Sequence, residues 1–569
     1  MAPQTAVGSD TAETAWTGDV TFTAVLPYDS QRLRRLARKI STPGAGKYRD
    51  FLSVSEAAAK VGATQQMRDD LTARAKALGI SVTFDRTGLT AQLAAAPDTW
   101  EQIYGASFLT DSESAPVGAE SIYIPDTDDT EIYYQSVPAD LLGVVRKIFP
   151  NDTRVVTTAA AAMDRPRDEG TPFGPGADCI DDTLLPFTYS PNQLHVPYGT
   201  AALHAQGLDG SGTNLAIIGI GQVYSPDMAQ NAAECFDYRY TPLDFIGAPG
   251  VGPAPVSGGP TTGIESNLDV QASGAVIPQA DRVTFIETVS GVSFVQNLIQ
   301  GYTTALVERH PDVITLSYGA CVTAMQEAGD WPARRHLDDL FAFSAIVGTS
   351  IVIAAGDSGS SSCLHDGLDD PSMQAGYPAS SPWATAVGGS RIILGEDNAR
   401  VNEVVWNSTT WDPELLGAGA GSPTTYRSPW YQPTISAVDR RTVPDFVAHA
   451  AVSPGWPVAM TAAQFEAFPG DPLPPGQTWG MGSVGGTSAA SPFAAANFAL
   501  IAAKHGRLGF LNPWLYSLAE RDLSPAFYDI VDGNNMVDPE PACCAAVQGY
   551  DMASGLGAPQ FDVLVDLVD

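Results

Sequence analysis

The segment Gly485-Gly486-Thr487-Ser488-Ala489-Ala490-Ser491-Pro492 sets a serine just after two glycines and just before a run of small, helix-compatible residues. A serine so placed sits at a helix N-terminus, with its hydroxyl facing outward and its own N–H aimed at a developing oxyanion. That suits an acyl-transfer nucleophile, although a glycine turn with Ser and Thr capping a helix is spelled the same way. A nucleophilic serine needs a base. Glu265 and Asp269, in Gly263-Ile264-Glu265-Ser266-Asn267-Leu268-Asp269-Val270, are spaced i and i+4. On a helix they share one face, close enough for one carboxyl to raise the pKa of the other. Alone, such a pair is commonly a solvated surface. The run Ile351 to Ala355 reads as a buried strand entering the turn Gly356-Asp357-Ser358-Gly359. A carboxyl at that position holds its proton to higher pH and, protonated, donates a hydrogen bond.

The usual base, histidine, does not fit. Seven are present, at 195, 204, 310, 336, 365, 449 and 505, and none stands in the HGTH-type motif that precedes the serine of subtilisin-like proteases. Asp357-Ser358-Gly359 also resembles the active-site turn of aspartic peptidases, but those need two such turns and no second one occurs.

The elements that must position these residues follow from periodicity. Residues 18–150 alternate strand-like runs (Val20 to Leu26, Ile80 to Phe84) with helix-like ones (Gln31 to Lys39, Glu56 to Lys60, Gln66 to Leu78), as in a small α+β domain. Thr157 to Asp178 lacks apolar periodicity and reads as a linker. From Asn214 onward, apolar runs at 215–220, 282–288, 313–317 and 351–355 alternate with helical patterns at 294–309 and 337–347. That is the pattern of a parallel α/β sheet, whose chemistry lies just past the carboxyl ends of the strands.

Composition narrows the function. The chain has 569 residues and a net charge of −34, carried mostly after residue 150. A surface that acidic repels phosphate backbones and anionic lipid, so neither nucleic acid nor a membrane is expected as a partner. No apolar run is long enough to span a bilayer, and Met1 to Trp16 lacks the basic and apolar regions of a signal peptide. The six cysteines form no CxxC pair and have no His at zinc-ligand spacing, which argues against structural zinc and permits disulfides.

Glu265/Asp269, Asp357 and Ser488, in that order on an α/β framework, resemble the sedolisin family of serine-carboxyl peptidases, acid-active relatives of subtilisin. Ile314-Thr315-Leu316-Ser317-Tyr318-Gly319 resembles the family's substrate-side strand. Arg441 to Asp445 (RTVPD) resembles its Pro-Asp segment, and Tyr189-Ser190-Pro191-Asn192-Gln193-Leu194 its mature start. Pro27, Tyr48 to Leu52 and Ile103 to Phe108 are similar to its activation prodomain, of the pro-kumamolisin type. The resemblance implies a prodomain over 1–156, a linker with a processing site over 157–188, and a subtilisin-like catalytic domain over 189–569. It also implies a secreted, monomeric, self-processing zymogen that cleaves proteins or peptides and is inhibited by its own prodomain. Ser488 would be the nucleophile, Glu265 its base, Asp269 the orienting carboxyl and Asp357 the oxyanion donor. One calcium ion would be held by the carboxylates of Asp529 and Asp551 and the carbonyls of Ile530, Val547 and Gly549, a hard-oxygen set. A tripeptidyl peptidase and an inactive binding protein on the same fold are the alternatives.

Some details depart from the family. Where some members have a glutamate and a tryptophan, Gly219 and Tyr318 stand here, so a longer proton network through those positions is not expected. Cys321 and Cys363 follow turns that adjacent strands would bring together and are expected to pair; the other four cysteines are left unassigned. The basic run Arg32 to Lys39 either packs against the acidic catalytic domain or is a solvated face.

Overall fold

The computed structural model describes residues 14–15, 18–104, 109–111, 121–123, 137–151, 188–221, 225–248, 263–288, 294–327, 331–365, 372–409, 417–421, 425–466, 473, 476–520, 524–537 and 543–568. All but the last residue of the expected linker, 157–188, lies outside these. The N-terminal unit is an antiparallel four-stranded sheet of β1 (Val20–Val25), β2 (Ser81–Phe84), β3 (Thr90–Ala95) and β4 (Lys147–Pro150), in the order β2–β3–β1–β4. Three helices precede β2: α1 (Ser30–Ser41), α2 (Val54–Val61) and α3 (Gln65–Ala77). Their starts are written in the sequence. Asp29 caps α1 by accepting the Arg32 N–H, and Ser53 with Glu56 forms a reciprocal capping box on α2.

The larger unit is built on an eight-stranded sheet. Its members are β5 (Asn214–Ile220), β6 (Asp244–Gly247), β7 (Arg282–Thr288), β8 (Val313–Leu316), β9 (Ser350–Ala354), β10 (Thr385–Leu394), β11 (Arg400–Val405) and β12 (Phe446–His449). The order is β11–β10–β9–β8–β5–β7–β6 with β12 also paired to β10, and every pairing except β10–β11 is parallel. Strands buried on both faces must be apolar throughout, hence the unbroken runs that betrayed them in the sequence.

Two groups of helices flank the sheet. One is α7 (Phe294–Thr304) with α8 (Arg334–Val347); the other is α5 (Pro226–Cys235) and α6 (Ile264–Val276) with α9 (Thr487–His505). A hairpin of β13 (Trp456–Thr461) and β14 (Trp479–Val484) leads into α9. Apolar on every side and buried from Thr487 to Ala502, α9 runs through the core rather than along the surface.

The N-terminal unit docks by α1 on α8. Leu33, Ala37 and Ile40 of α1 join the hydrophobic core of the larger unit, and Phe51 lies over Gly348 and Gly509, where any Cβ would collide with its ring. Of the basic run Arg32 to Lys39, only Arg34 makes an ion pair across the contact among the described residues, at 2.6 Å to Asp339, and Arg38 stacks on Trp430. The docking therefore combines an apolar seam and this charged pair with further hydrogen bonds, among them Tyr28 to His336, Gln300 to Asn151 and Arg49 to the His505 carbonyl.

Candidate active site

Gly485 and Gly486 are required by the approach to α9. A Cβ on Gly485 would lie 2.6 Å from the Ala450 carbonyl, and Gly486 adopts φ 107°, ψ 160°, a conformation essentially closed to other residues. The turn sets Ser488 in the first turn of α9, facing a cleft of about 70 Å³ lined also by Ser317, Tyr318, Asp357, Tyr377 and Thr487. No histidine lines that cleft among the described residues, nor does any residue of the N-terminal unit.

Behind Ser488 stand the two carboxyls of α6, which packs against α9. Glu265 and Asp269 are each 1% exposed, so the surface reading of the pair is excluded. The helix is held in rotation by its other polar side chains. Gln271 accepts the Ala459 N–H at 2.8 Å and donates to the Ala459 carbonyl at 3.0 Å, and Asn267 accepts the Ser225 N–H and donates to Gln464. Neither oxygen of Glu265 has a hydrogen-bond partner among the described residues. Burial first, then the neighbouring Asp269 and Asp357, push its carboxyl well above the usual range, and the facing hydroxyls of Ser488 and Ser317 offset only part of this. Burial raises Asp269 too, against a hydrogen bond from Ser317. The pair therefore keeps a proton at pH values where free carboxyls have lost theirs. In this resting arrangement the Ser488 hydroxyl reaches the Ser317 carbonyl, at 3.4 Å.

Asp357 follows β9, as expected from the apolar run, and is 5% exposed. Its Oδ1 accepts both the N–H and the hydroxyl of Thr487, each at 2.7 Å, while Gly356 N–H donates to that same hydroxyl. An oxygen that accepts two donors is not the one that carries a proton, so a proton on Asp357 resides on Oδ2. Thr487 was missed as a functional residue by the sequence reading, although it adjoins the serine.

Beside this group a carboxyl does occupy the neighbourhood of Gly219. Glu287 on β7 is in register with Gly219 on β5, and a Cβ there would meet the Phe285 ring and come within 3.0 Å of Glu287 Oε2. Tyr318 is buried, and after burial itself the charges of Glu265, Asp269 and Glu287 raise its phenol. Substitution at two family positions thus leaves an acidic neighbourhood, supplied by the adjacent strand.

Residues 267–514 match the model of the subtilase family, Peptidase_S8. Kumamolisin of Bacillus sp. (strain MN-32) is 26% identical over 494 residues, covering 84% of this chain and 79% of its own. The chain is similar to the sedolisin family over most of its length. Sedolisin of Pseudomonas sp. (strain 101) is 29% identical over 48% of the chain and 43% of its own length. A solved Pseudomonas sedolisin, a serine-carboxyl proteinase complexed with pseudo-iodotyrostatin, superposes with a TM-score of 0.55 at 24% identity, covering 67% of this chain and 97% of that one, and shows the shared fold. The chain is accordingly a serine-type peptidase, a hydrolase.

The remaining family segments find physical roles. Arg441 and Asp445 form a fully buried bidentate pair, both contacts 2.6 Å, and Asp445 also accepts from Tyr516, Asn512 and the Ala386 N–H, which ties β12 to β10. Cys321 and Cys363 are disulfide-bonded, as expected, and Cys321 lines the cleft. Cys543 pairs with its neighbour Cys544.

For calcium, the donor set can be tested against the local geometry. Asp529 accepts the Gly549 N–H at 3.0 Å and Asp551 the Val547 N–H at 2.9 Å, so both carboxylates converge on the 547–549 loop. Neither makes an ion pair among the described residues, and Asp551 is 8% exposed. Among those residues no cluster holds three or more His, Cys, Asp or Glu side chains at metal-binding spacing; the expected set uses two. Two carboxylates without a cationic partner among the described residues are a hard-oxygen pair of the kind a divalent cation takes, although the loop turns the Val547 and Gly549 N–H groups toward them.

Proposed function

We propose that the chain is an acid-active endopeptidase, secreted as a self-processing zymogen, that cleaves protein substrates through an acyl-enzyme on Ser488. What carries the reading is the convergence on one helix start of Ser488, the buried Glu265/Asp269 pair behind it and the Thr487-held Asp357 beside it. Glu265 takes the serine proton as Ser488 attacks and returns it to the leaving amine, while Asp269 holds Glu265. Protonated Asp357 and the Ser488 N–H receive the oxyanion; one such donor typically lowers the barrier by roughly 3 to 4 kcal/mol. Acid keeps Asp357 a donor, which is why carboxyl chemistry replaces the histidine of neutral serine proteases. Calcium, when bound to Asp529, Asp551 and the carbonyls of Ile530, Val547 and Gly549, supplies charge compensation that stabilises the C-terminal loop.

Residues 1–156 act as the inhibitory prodomain and 157–188 carry the processing site. The test is intact mass against time at about pH 4 and pH 7, with Ser488→Ala in parallel. Loss of an N-terminal piece only in acid and only with Ser488 present is the expected result; an intact chain that also leaves a denatured protein uncut sinks the proposal. The tripeptidyl-peptidase sed4 of Aspergillus fumigatus, 28% identical over 53% of the chain and 54% of its own length, keeps a tripeptidyl reading in view. Release of N-terminal tripeptides from a free-ended peptide, with an N-blocked one left uncut, would favour that reading.

A further inference from the structure

Helix α9 carries a proline in its second turn, and its cost falls on the nucleophile. Pro492 has no N–H, so the Ser488 carbonyl four residues earlier is deprived of its helical partner. The group found there instead is the Ser317 hydroxyl, 3.3 Å from that carbonyl. The same hydroxyl lies 2.6 Å from Asp269 Oδ1. Ser317 follows β8 directly and is buried. It thus stands between the orienting carboxyl on α6 and the nucleophile's own backbone on α9, with one proton and two acceptors.

We propose that Ser317 is a positioning residue of the reaction, whose hydroxyl holds ionised Asp269 in place and turns to the Ser488 carbonyl when Asp269 takes a proton. This rests on the reading of Glu265 and Asp269 as the base pair. In the ionised state the Ser317 proton lies on the 2.6 Å line to Asp269. In the protonated state Asp269 donates its proton to Ser317 Oγ and the serine proton points at the carbonyl that Pro492 leaves open. Both states are hydrogen-bonded, so the pair changes charge without a side chain moving far. The shorter, charge-assisted contact is the stronger, and it offsets part of the rise that burial imposes on Asp269.

The titratable groups around the pair are few. Asp357 follows β9, Tyr318 follows β8 and Glu287 is on β7; β5 offers none, and Asp227 and Glu234 of α5 are exposed. His195, packed near α6, is held neutral by burial. None of these replaces a donor lost from Asp269.

The full chain would be prepared as Ser317→Ala and as Ser317→Thr, and kcat/KM on a quenched peptide followed from about pH 2 to 7. Loss of the hydroxyl moves the acid limb up by about one pH unit, as expected for one lost charge-assisted bond, and leaves the alkaline limb in place. Ser317→Thr restores the acid limb. A uniform drop at every pH, with neither limb moved, overturns the proposal. A second measurement does not need turnover: in chains carrying Ser488→Ala, the infrared band of the buried protonated carboxyl persists to higher pH when Ser317 is also Ala. An unmoved band rejects the role of Ser317 even if the base assignment stands, whereas a chain with no peptidase activity but a shifted band rejects the function and keeps the coupling.

Discussion

The backbone N–H and the hydroxyl of Thr487 both end on one oxygen of Asp357, at 2.7 Å each. The residue before the nucleophile thereby decides which oxygen of the carboxyl can carry a proton.

Asp357→Asn follows from this. Thr487 will keep the amide oxygen on its own side, so the amide N–H₂ takes the place of the protonated oxygen. Because an amide does not titrate, the rate of Asp357→Asn should be lower, by roughly tenfold or more, but should lose the decline toward neutral pH. Initial rates at several pH values decide it, and a decline parallel to the parent's refutes the donor role.

Thr487→Val keeps the N–H and removes the hydroxyl. The expected loss is about tenfold in kcat with KM little changed, since Asp357 is misplaced for the oxyanion and not for the bound peptide. A change confined to KM would speak against it.

Glu265→Gln trades activity for stability. The carboxyl's folded pKa is raised, so its contribution is fully present below the unfolded value near 4.5 and is lost as pH rises. A neutral amide escapes that loss. Melting temperature should rise at pH 7, by an amount corresponding to roughly 1–3 kcal/mol, and change little at pH 3, while peptidase activity disappears. Calorimetry of both chains at the two pH values checks this.

His336 gives the docking of the N-terminal unit a pH dependence of the opposite sign. Its Nδ1 meets the Tyr28 hydroxyl at 2.7 Å, and Nε2 is buried without a partner among the described residues, so a charged ring would leave one N–H unpaired there. Burial lowers its pKa to about 4, with Arg146 and Lys147 adding to this and Asp339 opposing it. Docking is therefore at full strength above the free-histidine value near 6.5 and weakens as pH falls toward 4, by about 3 kcal/mol in all. His336→Phe should shift self-processing to lower pH; mass spectrometry of pH-stepped samples will show whether it does.

Removal of calcium by a chelator near pH 7 should lower the melting temperature, and Asp529→Ala should abolish the difference. Equal melting with and without chelator would remove the ion from the account.

The strands and the nucleophile turn were legible because burial on two faces and a glycine-only φ leave direct marks in the sequence. Glu265 and Asp269 were legible as a pair but not as buried, since an i, i+4 spacing looks the same on a wet helix and a dry one. Thr487 and Ser317 were invisible as functional groups, for their roles depend on hydroxyls brought together from different elements. The basic run of α1 left two readings open and each holds in part: most of its charges are exposed, while Arg34 pairs with Asp339 and the apolar residues between the charges pack on α8. Glu287 could not be read opposite Gly219 without the register of β5 and β7.

Helix α9 contacts β5, β8, β9, β10 and β12 as well as α6, and the nucleophile is its second residue. Elements so embedded open only when the whole domain does. On heating, such an enzyme has no stage at which it is folded but idle through local fraying at the serine. Inactivation and loss of helical signal should share one transition temperature, which makes residual activity itself a faithful thermometer of the fold.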